Sequence, residues 1–447
     1  MTFFKILGFS SIEVRSSIRA MFIAIIVFAA ALAFILIKPK GINEAFIALA
    51  GALILFTAQL LKPEDAAYIW GFVWNATFSL IGIMLFTSLL DYNGFFRWAA
   101  LHIVHRFHHR QLLLFIGLSL MAALITVFFN NDGTILIMVP IVLEITALLK
   151  LSRSGRLLFL LGIGFMADTA SAPLMMSNLT NILTADFFGI SFGEYASRML
   201  LPGIIAIVAT LAVTVAFFWQ SIVREENRAL APELFPIPSS AIPDKRLFYL
   251  SWLNILLMMI GYLGSERVGV PVAFIALGCA AIQWAASAAA GRAPFKETVL
   301  RAPWLIIVFA LSMNLIVYSL HVQGATAWFP EVIAPAAEKN DLIGIFGSGL
   351  LFSLLAAAIN NLPAVLISSL AIEQVNGPDY LPYASLLGTS VGAKLTPIGS
   401  LATLLWIQLV RQGGITVSWR EYTKYGLLLT FPILLLALFG LWLLDWS

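Results

Sequence analysis

Long apolar runs separated by short charged stretches set the pattern of this chain. Runs able to cross a bilayer, each needing about 20 residues, fall near 21–37, 45–61, 71–90, 157–185, 199–219, 247–264, 270–288, 303–320, 383–410 and 425–444. Two further apolar stretches, 111–149 and 341–372, are interrupted midway by the polar runs "NNDG" (130–133) and "NNLP" (360–363). Each is too short for two full crossings and too broken for one, so a re-entrant helical hairpin fits both. The pattern predicts an all-α polytopic membrane protein of ten transmembrane helices plus two hairpins.

The halves repeat. A shift of 230 aligns 90–137 with 320–367, and 12 of the 48 positions are identical, including Asn130 with Asn360 and Asn131 with Asn361. The segment 224–246, with four prolines and eight charges, is the boundary. It separates a first repeat (21–223), preceded by an arm (1–20), from a second (247–447). Each repeat holds five spans and one hairpin. Five is odd, so the second copy enters the membrane upside down, a signature of secondary transporters. Alternating the faces along the chain puts seven Lys and Arg on the N-terminal side and eighteen on the other. The positive-inside rule makes the second side cytoplasmic and both termini extracytoplasmic.

Composition agrees with a membrane protein: 61% hydrophobic and only 11% charged residues, with net charge +3. A soluble domain has about a quarter charged residues. The single cysteine, Cys279, excludes a disulfide framework or a multi-thiolate metal site within the chain. Four of the five histidines lie in "HIVHRFHHR" (102–110), read as an amphipathic helix at the headgroups rather than a metal site. No nucleotide-binding loop, zinc signature or nucleophile elbow is present, so the chain has no ATPase motif and no sign of being an enzyme. Nothing implies a cofactor, a resident metal or nucleic acid.

The chemistry concentrates in four polar interruptions. "NNDG" and "NNLP" each turn a hairpin, with Pro363 in the first turn of a half-helix. The span after each hairpin is itself broken, at "GFMADTASAPLMMSNLTNILTADFFG" (164–189) around Pro173 and at "GTSVGAKLTPIGSLATLLW" (388–406) around Pro397, two prolines expected at matching places. Ser171, Thr180, Ser390 and Thr403 add hydroxyls there. Asp132, Asp168 and Lys394 are the ionisable groups deepest in predicted membrane segments. A charge there costs a few kcal/mol even on lenient scales, which marks them as proton-coupling candidates: Asp132 or Asp168 as carrier, Lys394 as counter-charge. A fixed Asp–Lys pair that only locks the fold is the competing reading. Glu144, nearer a hairpin end, reads as a snorkelling side chain.

"NDGTILIMVPIV", "GFMADTASAPLMMSNLTNILTADFFGISFGEYAS", "KLTPIGSLATLLW", "WNATFSLIGIMLFTSLLDYNGFFRWAALH" and "NNLPAVLI" resemble the bacterial arsenite efflux permeases, the arsenical pump membrane proteins, over nearly the whole chain. The resemblance implies export of arsenite and antimonite in exchange for protons across the bacterial cytoplasmic membrane, and arsenic resistance. It implies membership of the ion-transporter superfamily, whose members move a transport part against a scaffold, elevator fashion. Two partners stay open: a soluble arsenite-stimulated ATPase subunit, and a second copy in a homodimer. Carried over by position, the site residues are Asn131, Gly133, Thr169, Ser177, Asn178, Asn181, Asn360, Asn361, Thr396 and Ser400 toward substrate, with Asp132, Asp168 and Lys394 toward the proton and Pro397 in the motif. Asn130 joins the substrate set but stands where the family often has a small residue. Ser390 stands where an acid often precedes the Gly-x-Lys, which leaves Asp132 or Asp168 as the partner of Lys394.

Arsenite near neutral pH is largely an uncharged trihydroxide. With one cysteine a three-thiolate site cannot form, so recognition falls to amide, hydroxyl, carboxylate and helix N–H groups. Three rivals remain: a sodium- or proton-coupled carboxylate transporter of the same superfamily, a membrane enzyme using Asp132 and Asp168 as an acid pair, and a passive channel.

Overall fold

The computed structural model describes residues 18–37, 41–226, 235–292, 304–337, 341–375 and 377–445. All but the last three residues of the arm 1–20, and residues 227–234 of the boundary segment, lie outside these. Eighteen α-helices cover the described residues: α1 (Ile18–Ile37), α2 (Glu44–Thr57), α3 (Pro63–Tyr92), α4 (Phe95–Phe107), α5 (Gln111–Phe128), α6 (Asn131–Leu148), α7 (Arg153–Thr169), α8 (Leu179–Phe188), α9 (Phe192–Glu226), α10 (Lys245–Val268), α11 (Val272–Ala289), α12 (Trp304–Val322), α13 (Phe329–Ala337), α14 (Asp341–Ile359), α15 (Asn361–Val375), α16 (Leu381–Ser390), α17 (Leu401–Gln412) and α18 (Trp419–Asp445).

Ten of them are long and apolar enough to cross a membrane: α1, α3, α5, α6, α9, α10, α11, α12, α14 and α18. The number equals the expected ten, but the membership differs. Seven coincide. The stretch 111–149, expected to be too short for two full crossings, holds two 18-residue helices, about 27 Å each at 1.5 Å per residue. The expected span 45–61 is the 14-residue α2. The expected spans 157–185 and 383–410 are each divided into two shorter helices around a 3₁₀ turn, Met175–Ser177 and Gly392–Leu395. The polar residues that marked these segments end their helices, so apolar length alone misjudged which pieces are longest.

Local chemistry sets the boundaries. Pro63 occupies the first turn of α3, where it loses no hydrogen bond, and Asp65 accepts from the Lys62 amide at 2.8 Å. Ser152 caps α7 through the Gly155 amide at 3.1 Å, and Asn178 caps α8 through the Thr180 amide at 3.1 Å.

The lipid face is legible in α10. Trp252, Leu253, Leu256, Ile260 and Leu263 are exposed, while Ser251, Asn254, Met258 and Tyr262 are buried. The buried polar side chains tie α10 to α11: Asn254 donates to the Cys279 carbonyl at 2.8 Å and Gln283 to Ser251 at 3.1 Å. Such bonds hold helices together where lipid removes the hydrophobic drive between them. α4 carries the histidine run. Phe96, Ala100 and Val104 face inward and Arg97, His102, His105 and Arg106 outward. Among the described residues no group of three His, Cys, Asp or Glu could hold a metal.

The strongest packing joins α3 to α11, α9 to α18 and α14 to α16, followed by α2 to α12. At Gly82 a Cβ would lie 2.6 Å from the Leu277 amide, so the α3–α11 approach needs glycine. Asn75 of α3 donates to both carboxylate oxygens of Asp186 on α8, at 2.9 and 3.0 Å, and accepts from the Ala273 amide of α11 at 3.2 Å. α3 and α12 run antiparallel: the Tyr68 and Tyr318 rings meet at a tilt with centroids 5.1 Å apart, and Gln323 reaches the Leu60 carbonyl. α9 and α18 do the same: Gly440 lies on Pro202 and Ile205, while Phe218 meets Tyr425 at 5.8 Å.

Candidate functional site

The run "NNDG" stands where α5 ends and α6 begins. Asn130 is extended (φ −164°) and its side-chain oxygen caps α6 by accepting from the Gly133 amide at 2.7 Å. A Cβ on Gly133 would sit 2.5 Å from that oxygen, so the cap requires glycine. Asn131 opens the helix. Its oxygen accepts from the Asp132 amide at 3.0 Å, and its Nδ2 donates across to Asp168 Oδ1 at 3.1 Å. Asp132, 8% exposed, makes no side-chain hydrogen bond or ion pair among the described residues.

Asp168, 3% exposed in the last turn of α7, is the hub. Besides Asn131, it accepts from Ser400 Oγ and Thr403 Oγ1, each at 3.5 Å. Thr403 also meets the Tyr422 hydroxyl at 3.2 Å. One carboxylate therefore joins the first hairpin tip, the first broken span, the second broken span and α18. Lys394, fully buried in the second break, donates to the Phe165 carbonyl at 3.0 Å and to the Thr169 hydroxyl. Its ammonium stands 5.6 Å from the Phe165 ring centre. It thus grips the last turn of α7 through Phe165 and Thr169, which flank Asp168 in the chain, and forms no direct ion pair with Asp168. The space beside Asp168, lined by Phe165, Thr403, Trp406 and Tyr422 among others, is closed to the size of a water.

Several expected site residues hold the breaks in shape. Ser177 donates to the Val127 carbonyl at 2.7 Å, and Thr396 to the Ala357 carbonyl at 2.6 Å. Val127 and Ala357 are 230 apart, so each break is pinned to the last turn before its hairpin tip by the same bond. Asn178 caps α8 and reaches Ser171 at 3.4 Å. Asn181 donates to the Ser171 and Leu174 carbonyls and accepts from Ser390 of the other half at 3.4 Å. Asn360 adopts φ +82°, a left-handed conformation that asparagine tolerates better than most residues, and donates to the Ile398 carbonyl at 2.8 Å. The Asn361 amide N–H donates to the Gly399 carbonyl at 2.8 Å, and its side chain, 5% exposed, makes no hydrogen bond among the described residues. Pro363 does fall in the first turn of α15. Pro173 and Pro397 are not matched in place: the first precedes its 3₁₀ turn and the second follows it. Glu144 pairs with Arg97 at 2.8 Å at the surface, both half-exposed.

Sequence reasoning missed Tyr422 and Trp406. Trp406, 1% exposed, donates to the Leu160 carbonyl at 2.8 Å and covers Gly164. The signal for Tyr422 was a second repeat: "SFGEY" (191–195) and "SWREY" (418–422) begin α9 and α18 with the same S-x-x-E-Y. Tyr195, the earlier copy, donates to the Ala172 carbonyl at 3.0 Å in the first break.

The comparisons with known proteins agree with this picture. A family model described as arsenical pump membrane protein matches residues 23–445. The chain belongs to the arsenical pump membrane protein family. It is 38% identical over 426 residues to the arsenical pump membrane protein of Escherichia coli K12, covering 94% of this chain and 98% of that one. A putative arsenical pump membrane protein of Bacillus subtilis is 26% identical over 88% of this chain and 92% of its own length. In fold, the chain is similar to the YdaH transporter of Alcanivorax borkumensis, whose crystal structure was described as revealing an unusual topology. The TM-score is 0.54 and the identity 15%, over 86% of this chain and 90% of that one. This family member is accordingly an all-helical, multi-pass membrane protein.

Proposed function

We propose that this chain is a secondary transporter that exports arsenite and antimonite, as neutral trihydroxides, in exchange for protons across the bacterial cytoplasmic membrane. The observation that carries the reading is the Asn131–Asp168 bond, which brings the first hairpin tip onto the carboxylate that also takes Ser400 and Thr403. Two carboxylates and one ammonium are buried together at membrane depth. They leave one negative charge uncompensated, and a proton on Asp132 or Asp168 restores neutrality in a region where a bare charge is costly. The uncommitted Asp132 carboxylate and Asn361 amide, with Ser400 and Thr403, offer acceptors and donors to a small polyhydroxide. The unpaired Asp132 disfavours the rival carboxylate substrate, which it would repel.

Alternating access between two inverted halves accounts for the packing. α3 with α12, and α9 with α18, occupy corresponding places in the two halves and pack antiparallel, as a two-fold axis in the membrane plane demands. The second hairpin arm of each half also packs on the second piece of the other half's broken span, α6 on α17 and α15 on α8. An elevator-type movement of hairpins and broken spans against a scaffold of α2, α3, α11 and α12 suits that arrangement. The reading puts both termini outside the cytoplasm and requires neither an ATPase subunit nor a homodimer.

Arsenite uptake into everted membrane vesicles, without ATP and with or without a proton gradient, tests it. Uptake abolished by an uncoupler is expected. Gradient-independent uptake would favour a channel, and no uptake would remove arsenite as substrate.

A further inference from the structure

The corner between α12 and α13 borders a cavity of about 180 Å³. Ile25 and Phe28 of α1, Trp328 and Phe329 of the corner, and Ile359 and Ile367 of the second hairpin line it. A shift of 230 residues carries the corner and hairpin positions onto 95–99 and 129–137. There the space is taken by rings. Phe96 and Phe129, 1% and 3% exposed, meet edge to face with centroids 5.8 Å apart, and Phe95 meets Phe248 of α10 at 5.7 Å. In the second half Ala325 stands for Phe95, Thr326 for Phe96 and Ile359 for Phe129, and all three smaller residues line the cavity.

The chemistry of the wall decides what can fill the hollow. Among the lining residues only Thr326 and Trp328 carry a polar side-chain atom, and both are engaged. The Thr326 hydroxyl bonds with His321 Nδ1 at 3.0 Å, and Trp328 Nε1 donates to the Ala325 carbonyl at 3.0 Å. Water needs two to four polar partners to stay in such a place, so an apolar cavity remains dry. The cavity is continuous with the lipid face: Ile25 and Trp328 are both exposed, and Phe22 and Ile26 beside Ile25 on α1 are exposed as well. It runs along the hairpin from Ile359 at the tip to Ile367, about 9 Å of helix rise. Trp328 borders it just past the end of α12, where tryptophans mark the headgroup level.

We propose that this cavity holds one acyl chain of a bilayer phospholipid, which takes the place of the three rings and wedges α1 and the α12–α13 corner against the second hairpin. A dry slot that opens to lipid and runs along a hairpin helix matches a single hydrocarbon chain. The inference needs only that the protein lies in a bilayer and does not depend on what it transports.

Photolabelling in vesicles of phosphatidylethanolamine and phosphatidylglycerol tests it, with a trace of phosphatidylglycerol carrying a diazirine in mid-chain and the labelled peptides mapped by mass spectrometry. Residues 361–372 of α15 are all buried, so bulk lipid reaches them only through the cavity. Label is expected there as well as on the lipid face of α10 around Leu256 and Ile260. Ile359→Phe combined with Ala325→Phe restores two of the rings. It should lower the label at 361–372 at least about tenfold, equivalent to about two buried methylenes, while α10 is labelled as before, the sign that the protein is folded. Ile25→Trp, which narrows the cavity from the α1 side, should act in the same direction. No more label at 361–372 than at 157–163 of the buried α7 would overturn the proposal, as would label that persists undiminished in both filling variants. Label there from a free fatty acid bearing the same diazirine, but not from the phospholipid, would overturn the phospholipid as occupant.

Discussion

The two hairpin tips share a sequence, Asn-Asn, and a fastening, a hydroxyl on the carbonyl three residues before the first asparagine. They differ in nearly everything that bears on chemistry. At the first tip Asn130 is extended and spends its oxygen capping α6. At the second Asn360 is left-handed; its oxygen also accepts from the following helix, from the Leu362 amide at 3.3 Å, but its amide goes to the Ile398 carbonyl. After the asparagines come Asp132 and Gly133 in one tip and Leu362 and Pro363 in the other. The first tip reaches Asp168 with a side chain, whereas the second reaches Gly399 with its backbone. The two tips are fastened alike, yet both carboxylates of the site, Asp132 and Asp168, lie in the first half of the chain and the balancing ammonium, Lys394, in the second.

The comparison can be broken most severely at Asp168. Asp168→Asn should cut gradient-driven arsenite uptake by about a hundredfold or more, equivalent to nearly 3 kcal/mol, with the protein still recovered folded from membranes. Normal uptake in that variant would remove the carboxylate from the transport cycle. Asp132→Asn should also abolish proton coupling, while Leu362→Asn at the corresponding place in the second tip should leave coupling intact, because the second tip makes no carboxylate contact. Equal losses in the two variants, read by uncoupler sensitivity of uptake, would erase the distinction between tips.

Lys394→Met sharpens the division of charge. Alone it should lower thermal stability, since it removes the ammonium's hydrogen bonds to the Phe165 carbonyl and the Thr169 hydroxyl and leaves the buried carboxylates without their counter-charge; combined with Asp168→Asn it should recover part of the loss. The coupling measured in that double-mutant cycle should be about 0.5–3 kcal/mol, and zero coupling would mean that the two charges ignore each other. The smallest effects belong to the shared frame. Ser177→Ala and Thr396→Val should each cost about 1 kcal/mol of stability, one buried hydrogen bond's worth, and the two costs should match. A denaturation midpoint that moved in only one of them would show that the fastenings are unequal.

Apolar runs and polar interruptions were legible because bilayer depth penalises every exception, and exceptions such as Asp132, Asp168 and Lys394 stand out in such a background. Which helices are long enough to cross was misjudged at 111–149, because a polar tip shortens the apolar count without shortening the helices. The roles of the asparagines were not legible. Asn178 and Asn361 look equivalent as letters, yet one caps a helix and the other has an uncommitted side chain, a difference decided by backbone angles that the letters do not carry. Tyr422 lay hidden for a different reason. The 230-residue shift that exposed the tips fails around 191 and 418, where the offset is 227, because the loop lengths differ between the halves.

The Asn75–Asp186 contact has a kinetic consequence. Any movement of the broken spans past α3 must first pull α8 away from an amide that is itself held by the Ala273 backbone of α11. Hydrogen bonds to a carboxylate are worth about 1.5–3 kcal/mol, so losing them on the way to the barrier slows the crossing by roughly one to two orders of magnitude. Asn75 would then govern how often the transporter turns over while leaving what it carries unchanged.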